Sequence, residues 1–123
     1  MKILALDYGS ARTGVAVSDP TGTVARPLRT LERATAADVR SLVDEEGAER
    51  VVVGLPLTLR GEHGAQAEET QRFVDELRAA VEVPVETFDE RFTTVLAGPG
   101  EGDDARAAAH LLSSYLEWSS RRS

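Results

Sequence analysis

The apolar residues of this chain change period near residue 31, and that switch constrains the fold more than any other feature. Before it, three short runs read as strands. KILAL, Lys2 to Leu6, is apolar and runs directly into Asp7. TGVAV, Thr13 to Val17, follows an Asp7-Tyr8-Gly9-Ser10 turn, and Val24 to Leu28 follows a turn marked by Pro20 and Gly22. Such closely joined runs make an antiparallel unit, with Pro27 assigning the third strand to an end or an exposed edge.

After the switch, helix and strand alternate. Leu31 to Glu46 carries Val39, Leu42 and Val43 at helical spacing, with Thr35 and Asp38 placed as a capping pair and Gly47 as a stop. Arg50 to Gly54 is a short strand whose VVVG run is continuously apolar, the pattern of a central parallel strand. Ala65 to Ala80 is an amphipathic helix built on Ala67, Phe73, Val74 and Leu77. Val83 to Phe88 reads as a fifth strand with Pro84 near its start. Phe92 to Ala97 reads as a short helix, cut by Gly98-Pro99-Gly100, and Thr93 and Thr94 are its candidate caps. Asp104 to Trp118 is the last helix. The expectation is one α/β domain over residues 1–118 and a flexible tail over 119–123. Its five-stranded mixed sheet, three antiparallel strands then two parallel, is flanked by helices. At 123 residues, one domain is what the length allows.

Several function classes fall away. The chain has no cysteine, which removes disulfide scaffolds, thiolate zinc sites and cysteine nucleophiles. Two histidines, His63 and His110, cannot build a multi-histidine metal centre; His63 is expected on an exposed loop and His110 packed within a helix. No apolar run approaches the roughly 18–20 residues that cross a bilayer. The start has one lysine and reaches Asp7 too soon for a signal peptide, so the cytoplasm is the expected location and no membrane partner is implied. The formal charge is -7, and the acidic excess lies after residue 60, where thirteen acids face six bases. A protein that coats nucleic acid through general basicity is thereby excluded, whereas a local site is not.

The acids themselves are informative. Asp7 ends one apolar strand, Asp89 and Glu90 end another, and Asp103 and Asp104 stand at a helix start. In an open α/β sheet, residues beyond the carboxyl ends of strands converge on a crevice. Carboxylates brought together there repel and raise one another's pKa values, a conflict that Mg²⁺ or Mn²⁺ resolves because both prefer oxygen ligands. Two such ions about 3.5–4 Å apart can activate water and stabilise a leaving oxygen in phosphodiester cleavage. Beside Asp7, Gly9 could admit close backbone approach to an ion or phosphate, and Arg12 could meet a phosphate oxygen. Alternatively, Gly9 and Arg12 form a plain turn with a surface arginine. The segment carries no Walker lysine and opens no helix, so neither a P-loop nor a dinucleotide fingerprint applies.

Taken in order, the motifs resemble the pre-16S rRNA nuclease family, also described as Holliday-junction-resolvase-like, whose fold is ribonuclease-H-like. The matching segments are LALDYGSARTGVAVSD, VVVGLPLTLRGEHG, FDERFTT and DDARAAAHLLSSYL, spread over residues 2–116. The resemblance implies a metal-dependent phosphodiesterase of ribosomal RNA maturation. It implies Asp7, Glu90 and Asp104 as the catalytic and Mg²⁺- or Mn²⁺-binding set, with two ions. Asp104 rather than Asp103 has the family's two-residue gap before Ala107-Ala108. Arg12 and Arg91 would face phosphate, Arg91 serving equally well as an internal ion-pair partner. Asp19 and Asp89 are expected in turn and strand-end hydrogen bonds, and Tyr115 and Trp118 in packing. The implied partner is precursor ribosomal RNA or a pre-ribosomal particle, with branched DNA as the alternative substrate; a monomer or a homodimer is compatible with the sequence.

The chain departs from the family at one place. Only RFTTVLAGPGEGD separates Glu90 from Asp104, with no Lys or Arg between Arg91 and Arg106. The family has a longer, lysine-rich segment there. Phosphate contacts dominate nucleic-acid affinity, so positive charge has to come from elsewhere, and Arg26, Arg29, Arg33 and Arg60 are the candidates. A non-catalytic ribosome-assembly or interaction module that keeps the fold is the competing expectation. A third reading, an actin-like ATPase, needs a two-domain cleft for which the chain is too short.

Overall fold

The computed structural model describes residues 1–57, 60–93 and 104–122. Five strands form one sheet: β1 (Ile3–Asp7), β2 (Arg12–Ser18), β3 (Ala25–Glu32), β4 (Arg50–Leu55) and β5 (Val85–Asp89). Their order across the sheet is β3-β2-β1-β4-β5. The first three strands pair antiparallel, while β1–β4 and β4–β5 pair parallel, as the sequence predicts. Two helices, α1 (Ala36–Glu46) and α2 (Ala65–Ala80), cover one face, and α3 (Asp104–Ser120) crosses the other.

Strand alternation divides the core into two layers. Leu4, Leu6, Val15, Val17, Val51 and Val53 point towards α1 and α2, where they meet Val39, Leu42, Phe73, Val74 and Leu77. Ile3, Ala5, Ala16 and Val52 point the other way, onto Ala108, Leu111, Leu112 and Tyr115 of α3. β1 and β4 are buried on both faces, which explains their unbroken apolar runs. The alanines on the second face let α3 lie close against the sheet. None of the described helices is long and apolar enough to cross a membrane.

Two boundaries differ from the sequence expectation. The third strand does not stop at Leu28 but continues to Glu32, so Leu31 and Glu32 belong to β3 and α1 starts at Ala36. Leu31 supplies an apolar residue to the core from a strand edge, and its spacing to Val39 imitates a helical face. Pro27 is accommodated because β3 is an edge strand and its pairing with β2 shifts register between Val15 and Ala16. The capping pair forms as expected: Asp38 N–H donates to Thr35 Oγ1 and Thr35 N–H to Asp38 Oδ2, and Gly47 closes α1 in the left-handed conformation. Beyond β5 comes a single 3-10 turn, Glu90–Phe92, capped by Asp89, which shares only Phe92 with the short helix expected over Phe92 to Ala97. Thr93 follows it, while Thr94 and the rest of that segment to Asp103 lie outside the described residues. Ser119 and Ser120 are helical, continuing α3 into the expected tail.

Candidate active site

Asp7 ends β1 on the α3 face, continuing the alternation of Ile3 and Ala5. Its cross-strand partner on β2 is Gly14, and on its other side β4 reaches Gly54, one residue past the Leu6 partner Val53. The Asp7 carboxylate is therefore flanked by two positions without side chains. Each gap is filled by another acid. A Cβ at Gly14 would stand 1.8 Å from the Asp104 carbonyl oxygen, so the first turn of α3 rests directly on β2. A Cβ at Gly54 would stand 2.8 Å from Glu90 Oε1 and 3.0 Å from Leu111 Cδ2. These two glycines set the distances in the site, and sequence reasoning did not single them out for it. The available signal was a glycine inside an apolar strand, which marks close approach by another group.

The Asp7 and Glu90 carboxyls stand close enough that each acts on the other's ionisation. Burial raises the Glu90 pKa first, then the bond to Asp7, then the charges of Asp7 and Asp89, bringing it to about 7. Asp7 is also raised by burial; the bond from Glu90 pulls it down and the charge of Asp104 pushes it up. The two acids therefore titrate as a pair, with burial opposing the charge on both. Asp104 Oδ2 is buried without a hydrogen-bond partner among the described residues. Arg12 Nε lies 3.3 Å from it and forms an ion pair.

Of the expected site residues, Glu90 and Asp104 both lie close enough to act on the ionisation of Asp7. Among the described residues, no three acid or histidine side chains are already gathered as ligands to one ion. The donor chemistry nevertheless fits a hard divalent cation. It consists of carboxylate oxygens only, burial opposes the charge on two of the groups, and a buried Asp104 oxygen accepts no hydrogen bond. Asp103 lies outside the described residues.

The neighbouring residues have distinct tasks. Gly9 lacks a side chain because a Cβ there would meet the Arg12 carbonyl oxygen at 2.5 Å, within the β1–β2 turn. Arg12 leaves that turn half-exposed and pairs with Asp104. Arg91 grips Asp89: its Nε stands 2.9 Å and its Nη2 2.6 Å from Asp89 Oδ2, and its backbone N–H donates to Oδ1 at 2.9 Å. That grip holds the Asp89 pKa below the usual range and fixes the turn that carries Glu90. Asp19, as expected, organises a turn, accepting from the Thr23 and Val24 N–H groups at 2.7 and 2.8 Å. His63 is exposed, and Tyr115 is buried against Phe88. Trp118 packs edge-on against Phe88 and is 39% exposed.

Comparison with known proteins gives consistent results. A family model described as "RuvX: Holliday junction resolvase" matches residues 1–118. A Chloroflexus aurantiacus protein named "Putative pre-16S rRNA nuclease" is 58% identical over 100 residues, covering 77% of this chain. The match spans 65% of that relative's length. A Rubrobacter xylanophilus protein of the same name is 47% identical over 128 residues, covering 94% of this chain and 92% of the relative. Among solved structures, Thermus thermophilus RuvC in complex with a Holliday junction substrate superposes with a TM-score of 0.65 at 16% identity. That superposition covers 98% of this chain and 96% of RuvC, and it establishes the ribonuclease-H-like fold.

Proposed function

The chain belongs to the RuvX family, described as Holliday junction resolvase, and from that premise we propose that it is a divalent-metal-dependent nuclease. Its reaction is hydrolysis of phosphodiester bonds, and its substrate is precursor 16S ribosomal RNA, processed at the 5′ end in the cytoplasm. The observation that carries this reading is the convergence of Asp104 and Glu90 on either side of Asp7, at Gly14 and Gly54, with Asp104 Oδ2 buried and held only by its ion pair with Arg12. Buried carboxylates in that state are unstable as a purely structural arrangement and useful as a cation site. The names of the relatives support RNA as the substrate.

Asp7, Glu90 and Asp104 would hold one or two Mg²⁺ or Mn²⁺ ions, which supply positive charge at the scissile phosphate and acidify water. The chain's own residues do the positioning. Gly14 and Gly54 bring Asp104 and Glu90 to either side of Asp7. Arg91 is a positioning residue, because it acts through Asp89 on the turn bearing Glu90. Arg12, at the open side of Asp104, is placed to meet a non-bridging phosphate oxygen.

A second reading, resolution of branched DNA, is favoured by the family description. Incubation of the protein and Mn²⁺ with a precursor 16S rRNA fragment and, separately, a four-way DNA junction distinguishes the two. Cleavage at the 5′ side of the RNA with the junction intact is the expected result. Cleavage of the junction alone would assign the second reading, and cleavage of neither would leave a non-catalytic assembly module.

A further inference from the structure

The shortened segment after Glu90 leaves open what holds a substrate strand beside the acids. The arginines of β3 do not. Arg26 and Arg29 pair with Val17 and Val15, Leu28 being passed over, and so stand on the α1/α2 face, opposite the face of Asp7 and Asp104. On the acids' own face, α3 packs over β1, β2 and β3, while β5 forms the edge of the sheet. Aromatic side chains fill the corner between α3 and β5.

Phe88 of β5 lies buried at the centre of that corner, with Phe92, Tyr115 and Trp118 around it. Ring centroids stand 6.3 Å apart from Phe88 to Phe92 and 5.7 Å apart from Phe88 to Trp118. Phe88 and Tyr115 are covered, whereas Phe92 is 62% and Trp118 39% exposed. Single apolar residues scattered on a surface need no explanation, but two exposed rings on one buried aromatic support make a patch. The patch adjoins the acids. Phe92 ends the 3-10 turn that Glu90 begins, and Phe88 pairs with Gly54, against which the Glu90 side chain lies.

The charges around the rings favour nucleic acid more than the net -7 of the chain does. Glu86, Asp89 and Glu117 border the rings, and each is ion-paired: with Arg50 at 3.1 Å, Arg91 at 2.6 Å and Arg121 at 2.7 Å. Arg122 is a further cation, its guanidinium 4.8 Å from the centre of the Trp118 ring, and that of Arg91 lies 5.9 Å from the centre of Phe92. An arginine over an exposed ring is held weakly, and a nucleobase stacks on such a ring more strongly. A base arriving at Trp118 therefore displaces Arg122 towards the phosphates that accompany it. A partner protein would also cover an apolar patch, but continuity with the carboxylates and arginines at the ring faces fit a strand of bases and phosphates.

We propose that Phe92 and Trp118 form a stacking platform for unpaired bases of an RNA strand, holding it along the β5 edge with a phosphate at the carboxylates. The proposal rests on the nuclease reading and deepens it: the strand is single-stranded where it is cut, and ring faces hold it in place of a basic segment. Stacking on a ring face needs no net positive charge, which suits a chain without Lys or Arg between Arg91 and Arg106.

Trp118 is the only tryptophan of the chain, so its emission reports on the platform directly. The test titrates the full chain, in chelator so that no strand is cut, with a single-stranded oligoribonucleotide and with an abasic strand of the same length. The oligoribonucleotide should quench Trp118 emission, and the abasic strand should bind at least about fivefold more weakly. Phe92 is exposed enough for its replacement to leave the fold intact. Phe92→Leu should weaken binding of the oligoribonucleotide at least about fivefold, leave binding of the abasic strand unchanged, and keep the salt dependence of the wild type, because no phosphate contact is lost. Phe92→Tyr should restore the affinity. Absence of quenching, equal affinity for the two strands, or wild-type binding by Phe92→Leu each overturns the proposal. Trp118 emission that changes with protein concentration alone also overturns it, by covering the rings with a second copy of the chain. Cleavage by the wild type with Mn²⁺, assayed separately, reports on the nuclease reading alone. Cleavage without quenching removes the platform and leaves the nuclease; quenching without cleavage does the reverse.

Discussion

Asp104 and Gly14 occupy adjoining space: the carbonyl oxygen of the first residue of α3 lies 1.8 Å from where a Gly14 side chain would begin. Because Gly14 is the cross-strand partner of Asp7, this contact sets how far the third acid stands from the first. Gly14→Ala must displace backbone, which cannot rotate away as a side-chain tip can. The variant should lose about 1–3 kcal/mol of stability by calorimetry. Where it is still fully folded, its cleavage rate should fall at least about tenfold, since small misplacements at a reacting centre are costly.

Gly54→Ala gives a different balance. Its Cβ would meet the ends of the Glu90 and Leu111 side chains, at 2.8 and 3.0 Å, and both can move. Stability should change by less than about 1.5 kcal/mol. Glu90 would be displaced, and kcat should fall by about 10- to 100-fold with little change in KM. A KM effect of the same size would place Gly54 in substrate binding instead.

The raised pKa of Glu90 predicts a pH dependence of stability without metal. The pKa of Glu90 is raised to about 7 in the folded chain from an ordinary 4.5. Between those values the native state holds more protons than the unfolded state, so stability is greatest at the acid end and declines as pH rises through about 7. In chelator, the wild-type Tm should fall over that range relative to Glu90→Gln, and added Mn²⁺ should reverse the difference. Parallel Tm curves for the two proteins would contradict the raised Glu90 pKa.

The capping pair of α1 is remote from the acids and tests the fold independently. Thr35→Ala removes the acceptor of the Asp38 N–H and should cost about 1 kcal/mol in denaturant unfolding. Cleavage measured below the transition should be unchanged.

What was legible in the sequence followed from local chemistry. The short apolar run KILAL placed Asp7 at its end, and the Thr35–Asp38 pair and the Gly47 stop marked the ends of α1. The β3 boundary was not legible, because Leu31 contributes to the core from an edge strand and mimics the helical period. The shift at Leu28 was equally hidden, since pairing register depends on β2 as much as on β3. Two possibilities for Arg91 could be named from the sequence, and the geometry gives it Asp89 as partner. The spacing tasks of Gly14 and Gly54 depend on what lies across the sheet, 90 and 36 residues later, which no local pattern encodes.

The central claim is that Asp7 and Glu90 carry metal-dependent strand cleavage. Its most direct measurement is the rate at which a precursor 16S rRNA fragment is cut in Mn²⁺ by the wild type, Asp7→Asn and Glu90→Gln, each shown to be folded. The account predicts cleavage by the wild type that vanishes in chelator, and a loss of about a hundredfold or more in each variant. Undiminished cleavage by either variant would contradict it.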